Sequence, residues 1–131
     1  NTPIISMDVY PTLLEAAGVS PETEKPLDGE SIMPLLRQSG SLKRDAVYFH
    51  YPNYAFHQEN RLGSAMREGK YKLLKFYDDD SIELYDLDQD IGEQRDLSQE
   101  LPERAQSMAA KLERWLKETG AEMPKKVKQT Q

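Results

Sequence analysis

The period of the apolar pattern changes along this chain, and that change limits the folds that are open to it. Four runs rich in aromatic and branched residues are separated by turn signals, a pattern typical of β-strands. The runs occupy residues 46–51, 65–67, 71–77 and 82–87. Residues 68–70 and 78–81 suit tight connections, so the last three strands are predicted to form an antiparallel meander.

A later segment predicts an amphipathic helix that covers this sheet. Over residues 102–119 apolar side chains recur at three- and four-residue steps, with Pro102 in the first turn and Gly120 as the stop. The apolar stripe consists of Ala105, Met108, Ala109, Leu112, Trp115 and Leu116. Such a stripe can also line a ligand groove, but a core is favoured, with Leu112 and Trp115 as its anchors. The predicted fold class is therefore α+β, a small antiparallel sheet of about four strands packed by a long C-terminal helix.

The first forty residues predict two short helices. Asp8 as N-cap puts Pro11 at the third helical position, and Ser31 and Pro34 repeat that spacing. Gly18 suits a left-handed C-terminal cap. Helices this short are marginal unless their apolar side packs on something larger. In an isolated chain the apolar sides of the two helices would have nothing to pack on. The helices are then expected to loosen, to exchange between copies or to pair with a second copy, so self-association is also expected.

Composition excludes several classes of function. The 131 residues include no cysteine, which excludes disulfides, thiolate metal sites and a thiol nucleophile. A net charge of -6 argues against nucleic acid as a partner. No apolar run approaches the ~18 residues of a membrane span, and no charged-then-apolar leader opens the sequence.

Five ordered blocks of this sequence resemble the late part of a sulfatase. The first two are Asp-Val-Tyr-Pro-Thr-Leu-Leu-Glu-Ala-Ala-Gly at 8–18 and Asp-Gly-Glu-Ser-Ile-Met-Pro-Leu-Leu at 28–36. The others are Tyr-Phe-His-Tyr-Pro at 48–52, Ala-Met-Arg-Glu-Gly-Lys-Tyr-Lys-Leu-Leu at 65–74 and Leu-Tyr-Asp-Leu at 84–87, followed by Asp and Glu residues. Two departures stand out: Asn53 replaces a second histidine, and Ile91 replaces a proline.

The resemblance implies an organisation in three parts. Residues 1–40 would be the tail of the N-terminal catalytic domain, 41–121 the C-terminal subdomain and 122–131 a flexible tail. The expected partner is the protein's own N-terminal catalytic domain in cis, with a sulfated carbohydrate as a possible ligand. The whole protein would be periplasmic or secreted.

The resemblance also implies a chemistry that this chain does not carry. Sulfatases convert the first residue of a Cys/Ser-x-Pro-x-Arg motif into formylglycine and use it beside a bound calcium. No such motif occurs here, because Ser20-Pro21 lacks the arginine. We therefore expect no catalytic residue, no metal site and no turnover in this chain alone, with calcium and formylglycine supplied by the catalytic domain.

Four residues are predicted to shape a substrate-binding rim: His50, Asn53, Arg61 and Arg67. His50 stands in a block that resembles a segment near the substrate mouth, and His57 is a weaker candidate. A buried, hydrogen-bonded strand histidine is an equally open interpretation of His50. The basic residues between 61 and 76 could bind a sulfate ester. Alternatively, they simply occupy the solvent-exposed face of a strand, where Lys and Arg are common.

The acidic run after residue 77 is a weak calcium candidate. Asp86, Asp88 and Asp90 alternate as in an EF-hand, but Ile91 and Leu97 occupy the positions of its glycine and glutamate. A solvated strand edge explains the alternation more simply.

Two other functions stay open. The parent protein could be a phosphodiesterase or phosphotransferase with the same core, or the chain could be a non-enzymatic interaction module.

Overall fold

The computed structural model describes residues 2–20, 27–53 and 60–124. Two compact units make up the chain, Asn1–Val47 and Tyr48–Gln131. The boundary predicted at residues 40–41, between the catalytic-domain tail and the subdomain, stays a prediction. Within the described residues, none of the helices has the length and apolarity needed to cross a bilayer.

The first unit contains two short helices and a 3-10 turn. The 3-10 turn Ser6–Asp8 leads directly into α1, Val9–Ala16, and α2 spans Met33–Leu36. Both helices end in a Schellman motif. In α1, Val19 N–H donates to the Leu14 carbonyl at 3.0 Å, and Gly18 is in the left-handed conformation. The two predicted helices are confirmed, and Pro11 is the third residue of α1 as predicted.

Asp8 occupies the N-cap position of α1, but its side chain does not cap that helix. Its carboxylate instead accepts hydrogen bonds from the N–H groups of Ile5, at 2.9 Å, and Glu30, at 3.0 Å. Arg44 adds a bidentate pair from its two terminal guanidinium nitrogens. The Arg44 hydrogen bonds are the main reason that the pKa of Asp8 lies well below its ordinary value.

Thr12 provides a second link between the two sequence blocks of this unit. Its hydroxyl donates to the Asp8 carbonyl at 2.6 Å and accepts from the Ile32 N–H at 3.0 Å. Gly29 is needed in the same segment, because a Cβ there would lie 2.0 Å from the Met7 carbonyl oxygen. The polar residues of the first block thus hold the backbone of the second, which explains physically why the two blocks occur together.

The prediction for Ser31 was wrong in its position. The N-cap of α2 is Ile32, because the helix begins at Met33 and Pro34 is in its first turn. The Ser31 hydroxyl still accepts a hydrogen bond from the Met33 N–H at 3.2 Å. Ser31, the residue before the N-cap, therefore satisfies one of the backbone N–H groups that have no partner within the helix.

The second unit is built on a four-stranded sheet with strand order β1-β2-β3-β4. The strands are β1 Ala46–Tyr51, β2 Gly63–Glu68, β3 Tyr71–Phe76 and β4 Ile82–Asp86, so β1 begins in the first unit. The β2–β3 and β3–β4 pairs are antiparallel, as the predicted meander requires. Glu68 pairs with Tyr71, which leaves a two-residue hairpin turn at Gly69 and Lys70.

The helix α3, Pro102–Glu118, packs against β2, β3 and β4 and closes the core. Met66, Leu73 and Leu84 from the sheet and Leu112 from the helix are completely buried. Five of the six predicted stripe residues are buried, while Trp115 is half-buried and stacks on Tyr48 with ring centroids 5.0 Å apart. The α+β fold is confirmed, with Leu112 as a central anchor and Trp115 at the margin of the core.

Candidate functional site

His50 lies on β1 and joins several parts of the second unit. Its Nδ1 is 2.7 Å from the Ser64 hydroxyl and 3.2 Å from the Tyr77 hydroxyl, and its Nε2 is 2.9 Å from the Glu122 carbonyl oxygen. The Ser64 and Tyr77 hydroxyls lie 2.6 Å apart. Tyr77 also contacts the His50 ring edge to face, at a centroid distance of 5.9 Å. Both ring nitrogens of His50 therefore have protein partners.

Alternation along the strands places His50 on the same side of the sheet as α3. Ser64 is two residues from Met66 on β2, so both side chains point toward the helix. Arg67, the next residue after Met66, points to the opposite side, which we call the outer face. His50 and Arg67 thus lie on opposite faces of the sheet.

The outer face carries an open groove of about 510 Å³. Its lining includes Phe49, Tyr51, Ala65, Leu74, Phe76 and Arg61, and also His50 and Ser64. Phe49 is 53% exposed and Tyr51 44% exposed, so this surface is apolar and open. The Arg61 guanidinium lies 3.7 Å above the Phe76 ring and 2.8 Å from both Asp78 and Asp79.

Most of the basic residues predicted as an anion-binding stretch are neutralised by the acidic run that follows them. Lys70 pairs with Asp86 at 2.6 Å, and Lys72 with Glu93 at 2.7 Å. These contacts raise the pKa of Lys70 and lower that of Asp86. Lys75 likewise pairs with Glu113 on α3, at 2.6 Å.

Arg67 differs from the other basic residues of this stretch. It stands opposite Lys72 in the β2–β3 register, and its Nε donates to the Gly69 carbonyl at 3.4 Å. Within the described part of the chain, no carboxylate pairs with its guanidinium. This leaves Arg67 the cation of the outer face best able to meet an anionic ligand.

Asn53 is exposed and lies just after the end of β1. His57 falls in 54–59, outside the described residues. Of the four predicted rim residues, the structure brings Arg61 and Arg67 to the outer face, with Asn53 at a strand end and His50 on the helix side. Their role in substrate binding stays a prediction.

The acidic run is organised by its own backbone. Asp90 accepts hydrogen bonds from the N–H groups of Gln94 and Arg95, at 2.7 and 2.8 Å. Asp96 accepts from the N–H groups of Leu84 and Ser98, and these bonds lower its pKa despite burial. Over residues 2–20, 27–53 and 60–124, no three acidic or histidine side chains converge as a metal site would require.

Comparison with known proteins identifies the family. The family model for the N-sulphoglucosamine sulphohydrolase C-terminal region matches residues 1–122. The chain belongs to this sulfatase family. It is 35% identical over 126 residues to a sulfatase of Formosa agariphila, covering 85% of this chain and 22% of that protein. Arylsulfatase K of Xenopus laevis is 32% identical over 119 residues, with 86% and 22% covered.

Solved structures show the same fold. A putative sulfatase from Bacteroides thetaiotaomicron matches with a TM-score of 0.70 at 24% identity, over 86% of this chain and 24% of that one. The protein BT4656, solved with its substrate D-glucosamine-2-N,6-O-disulfate, matches with a TM-score of 0.68 at 29% identity, over 84% and 23%. The sulfatase chain thus corresponds to the C-terminal part of larger proteins and spans about a fifth of the curated relatives it matches.

Proposed function

We propose that this chain is the closing part of an enzyme that hydrolyses sulfate esters of a sulfated carbohydrate. The observation that carries the proposal is the family match, which extends over nearly the whole of both units. BT4656 is described with a disulfated glucosamine as its substrate, and a second similar structure is described as a 2-O GAG sulfatase. A sulfated amino sugar or glycosaminoglycan is therefore the substrate class that we infer.

The chain contributes support and substrate contacts to this enzyme, while the nucleophile and the cation belong to the catalytic domain. The first unit exposes an apolar surface that is suited to packing on that domain in cis. Its members are Ile4, Met7, Val9, Tyr10, Leu13, Val19 and Leu36, each about half exposed or more. Burying such side chains contributes roughly 1.5–3 kcal/mol each, which offsets the marginal stability of the short helices.

The rim that we propose is formed by Arg67, Arg61 and Asn53, with His50 behind it. A guanidinium presents several N–H donors in a plane and binds oxyanions in a bidentate manner, which suits a sulfate group. Arg67 is best placed for this contact, because Arg61 is shared with Asp78 and Asp79. Asn53 adds an amide with donors and an acceptor for sugar hydroxyls.

The experiment is a sulfate-release assay on the full-length protein that contains this sequence. Glucosamine 2-N,6-O-disulfate is the first substrate, with a phosphate monoester and a phosphodiester in parallel, and the 131-residue chain alone is expected to give no turnover. Arg67→Ala should raise KM about tenfold, as expected for one lost charged hydrogen bond. Lys72→Ala is the matched control, since Lys72 is held by Glu93 on the same face.

Two results would contradict the proposal. Faster release of phosphate than of sulfate would favour the phosphodiesterase or phosphotransferase alternative. Equal effects of the Arg67 and Lys72 substitutions on KM would remove Arg67 from the rim. Location is tested separately, because a periplasmic or secreted enzyme should be recovered outside the cytoplasm by fractionation.

A further inference from the structure

The hydrogen bonds around His50 require a proton on one particular ring nitrogen, Nε2. The Glu122 carbonyl can only accept, so at 2.9 Å it requires an N–H on Nε2. Nδ1 has two partners, the Ser64 hydroxyl at 2.7 Å and the Tyr77 hydroxyl at 3.2 Å. The two hydroxyls are also hydrogen-bonded to each other, at 2.6 Å. With a proton on Nε2, both ring nitrogens of His50 have hydrogen-bond partners, and we call this cluster of His50, Ser64, Tyr77 and the Glu122 carbonyl the junction.

The junction links parts of the second unit that are distant in sequence. His50 belongs to β1, Ser64 is a buried residue of β2, and Tyr77 follows β3. Glu122 follows α3, two residues after Gly120 ends the helix in a Schellman motif. The end of β1 is thereby tied both to its sheet neighbours and to the segment that leaves the helix.

We propose that His50 is a positioning residue, which acts on substrate through Asn53 and does not touch the substrate itself. This proposal rests on the proposed function, because it assigns how one member of the rim works. Two observations carry it. Both ring nitrogens already have protein partners, and the imidazole lies on the helix side of the sheet while Arg61 and Arg67 lie on the outer face. Asn53 follows His50 by three residues, just after the end of β1.

The first test uses the chain alone and needs no activity. Long-range ¹H–¹⁵N NMR spectra of the histidine side chains distinguish a protonated from an unprotonated ring nitrogen. We expect the His50 spectrum to show a protonated Nε2. An unprotonated Nε2, or averaging between the two tautomers, would refute the junction.

The second test uses the full-length enzyme and residues that are not in the rim. Ser64→Ala combined with Tyr77→Phe removes both hydroxyls and keeps the imidazole and the ring packing. If His50 positions Asn53, this double variant should raise KM about fivefold, the effect of roughly one net hydrogen bond, and leave kcat within about twofold. An unchanged KM, with His50→Ala still raising it, would show that His50 contacts the substrate directly and would overturn the proposal.

Conservative substitutions of His50 separate its two bonds. His50→Gln keeps a donor near the Nε2 position for Glu122, and His50→Asn keeps a polar group near Nδ1 for Ser64. Each should give a KM between those of the wild type and His50→Ala, whereas a direct substrate contact predicts no such partial rescue. Melting temperatures establish that each variant is folded, and Tyr77→Phe alone serves if the double variant is not.

The outcomes also distinguish the two proposals. A wild-type enzyme that releases no sulfate contradicts the proposed function, and the positioning role falls with it even if the tautomer is as expected. If the wild-type enzyme releases sulfate but the Ser64→Ala, Tyr77→Phe double variant has an unchanged KM, only the positioning role is contradicted.

Discussion

Replacing Arg44 by methionine should destabilise the first unit strongly, because it leaves the buried Asp8 carboxylate without its cation. The Asp8 side chain is 2% exposed and the Arg44 side chain 19% exposed. Methionine has a similar length and keeps the apolar packing of the arginine stem, so the change removes mainly the guanidinium. Asp8 would retain the N–H donors of Ile5 and Glu30 but lose its cation.

The size of the effect follows from this burial. Removing one partner of a buried ion pair costs about 3–5 kcal/mol, since the remaining charge is uncompensated. Arg44 keeps some contact with water, so the lower end is appropriate, about 3 kcal/mol or on the order of 100-fold in the folding equilibrium. Adding Asp8→Asn to the Arg44→Met variant replaces the unpaired carboxylate by a neutral amide. This double variant should therefore recover part of the loss.

The pH dependence has a definite sign. The Arg44 hydrogen bonds, followed by those from Ile5 and Glu30, lower the pKa of Asp8 in the folded state. A lowered carboxyl pKa contributes stability that is complete above the unfolded value, near pH 4, and is lost as the pH falls toward the folded value. The wild-type first unit should thus weaken below about pH 4, and the double variant should show a shallower slope.

Amide hydrogen exchange measured by NMR is the assay, because it reports each unit separately. The Glu30 N–H, which donates to Asp8, should exchange on the order of 100-fold faster in Arg44→Met. Trp115 is the only tryptophan and lies in the second unit, so its fluorescence is the internal control. Exchange within about threefold of wild type, or no recovery in the double variant, would refute the reasoning.

Three further predictions concern the second unit. Leu112→Ala removes a completely buried side chain and should cost about 2–5 kcal/mol in urea denaturation followed by Trp115 fluorescence; a loss under about 1 kcal/mol would contradict its place in the core. Gly120→Ala should lower the free energy of unfolding by about 1 kcal/mol, measured by thermal unfolding. At this position φ is +63° and an added Cβ would meet nothing within 4 Å, so backbone strain is the only cost. A gain in stability would contradict this prediction. Millimolar calcium should leave the melting temperature of the chain unchanged, because Asp90 and Asp96 already accept backbone N–H groups, and a clear rise would reveal a site in the acidic run.

The elements of the second unit were predictable because their signals are local. Aromatic and branched residues specify β1, β3 and β4, and three- and four-residue steps specify α3, whichever neighbours these elements meet. The exception is β2, Gly-Ser-Ala-Met-Arg-Glu, which has neither residue type and begins at Gly63, two residues before the predicted start. Gly120 ends the helix for an equally local reason, since the left-handed position needs a residue without a Cβ. The position of Trp115 also departs from the prediction, because its partner Tyr48 lies at the edge of the core.

The polar contacts of the first unit were not predictable in the same way. Asp8 looks like a helix cap from its neighbours, yet its strongest partner, Arg44, is 36 residues away. Nothing near either residue signals the pair, because a capping carboxylate and a buried ion-pair carboxylate have the same local sequence. What the sequence does contain is Gly29, whose missing side chain admits the Met7 carbonyl and so lets the two segments meet.

The sequence alone does not determine which face of the sheet each candidate rim residue occupies. Alternation along one strand is enough to state that Arg67 and Met66 face opposite sides, since neighbours on a strand always do. It cannot state whether His50 shares a side with Arg67, because that depends on how β1 pairs with β2, and a shift of one residue reverses the answer. The hydrogen bond from Ser64 to His50 supplies this information, as Ser64 lies on the Met66 side of β2. A rim that includes both His50 and Arg67 must therefore be reached around the end of the sheet, and Asn53, at the end of β1, is the candidate through which the helix side can influence the outer face.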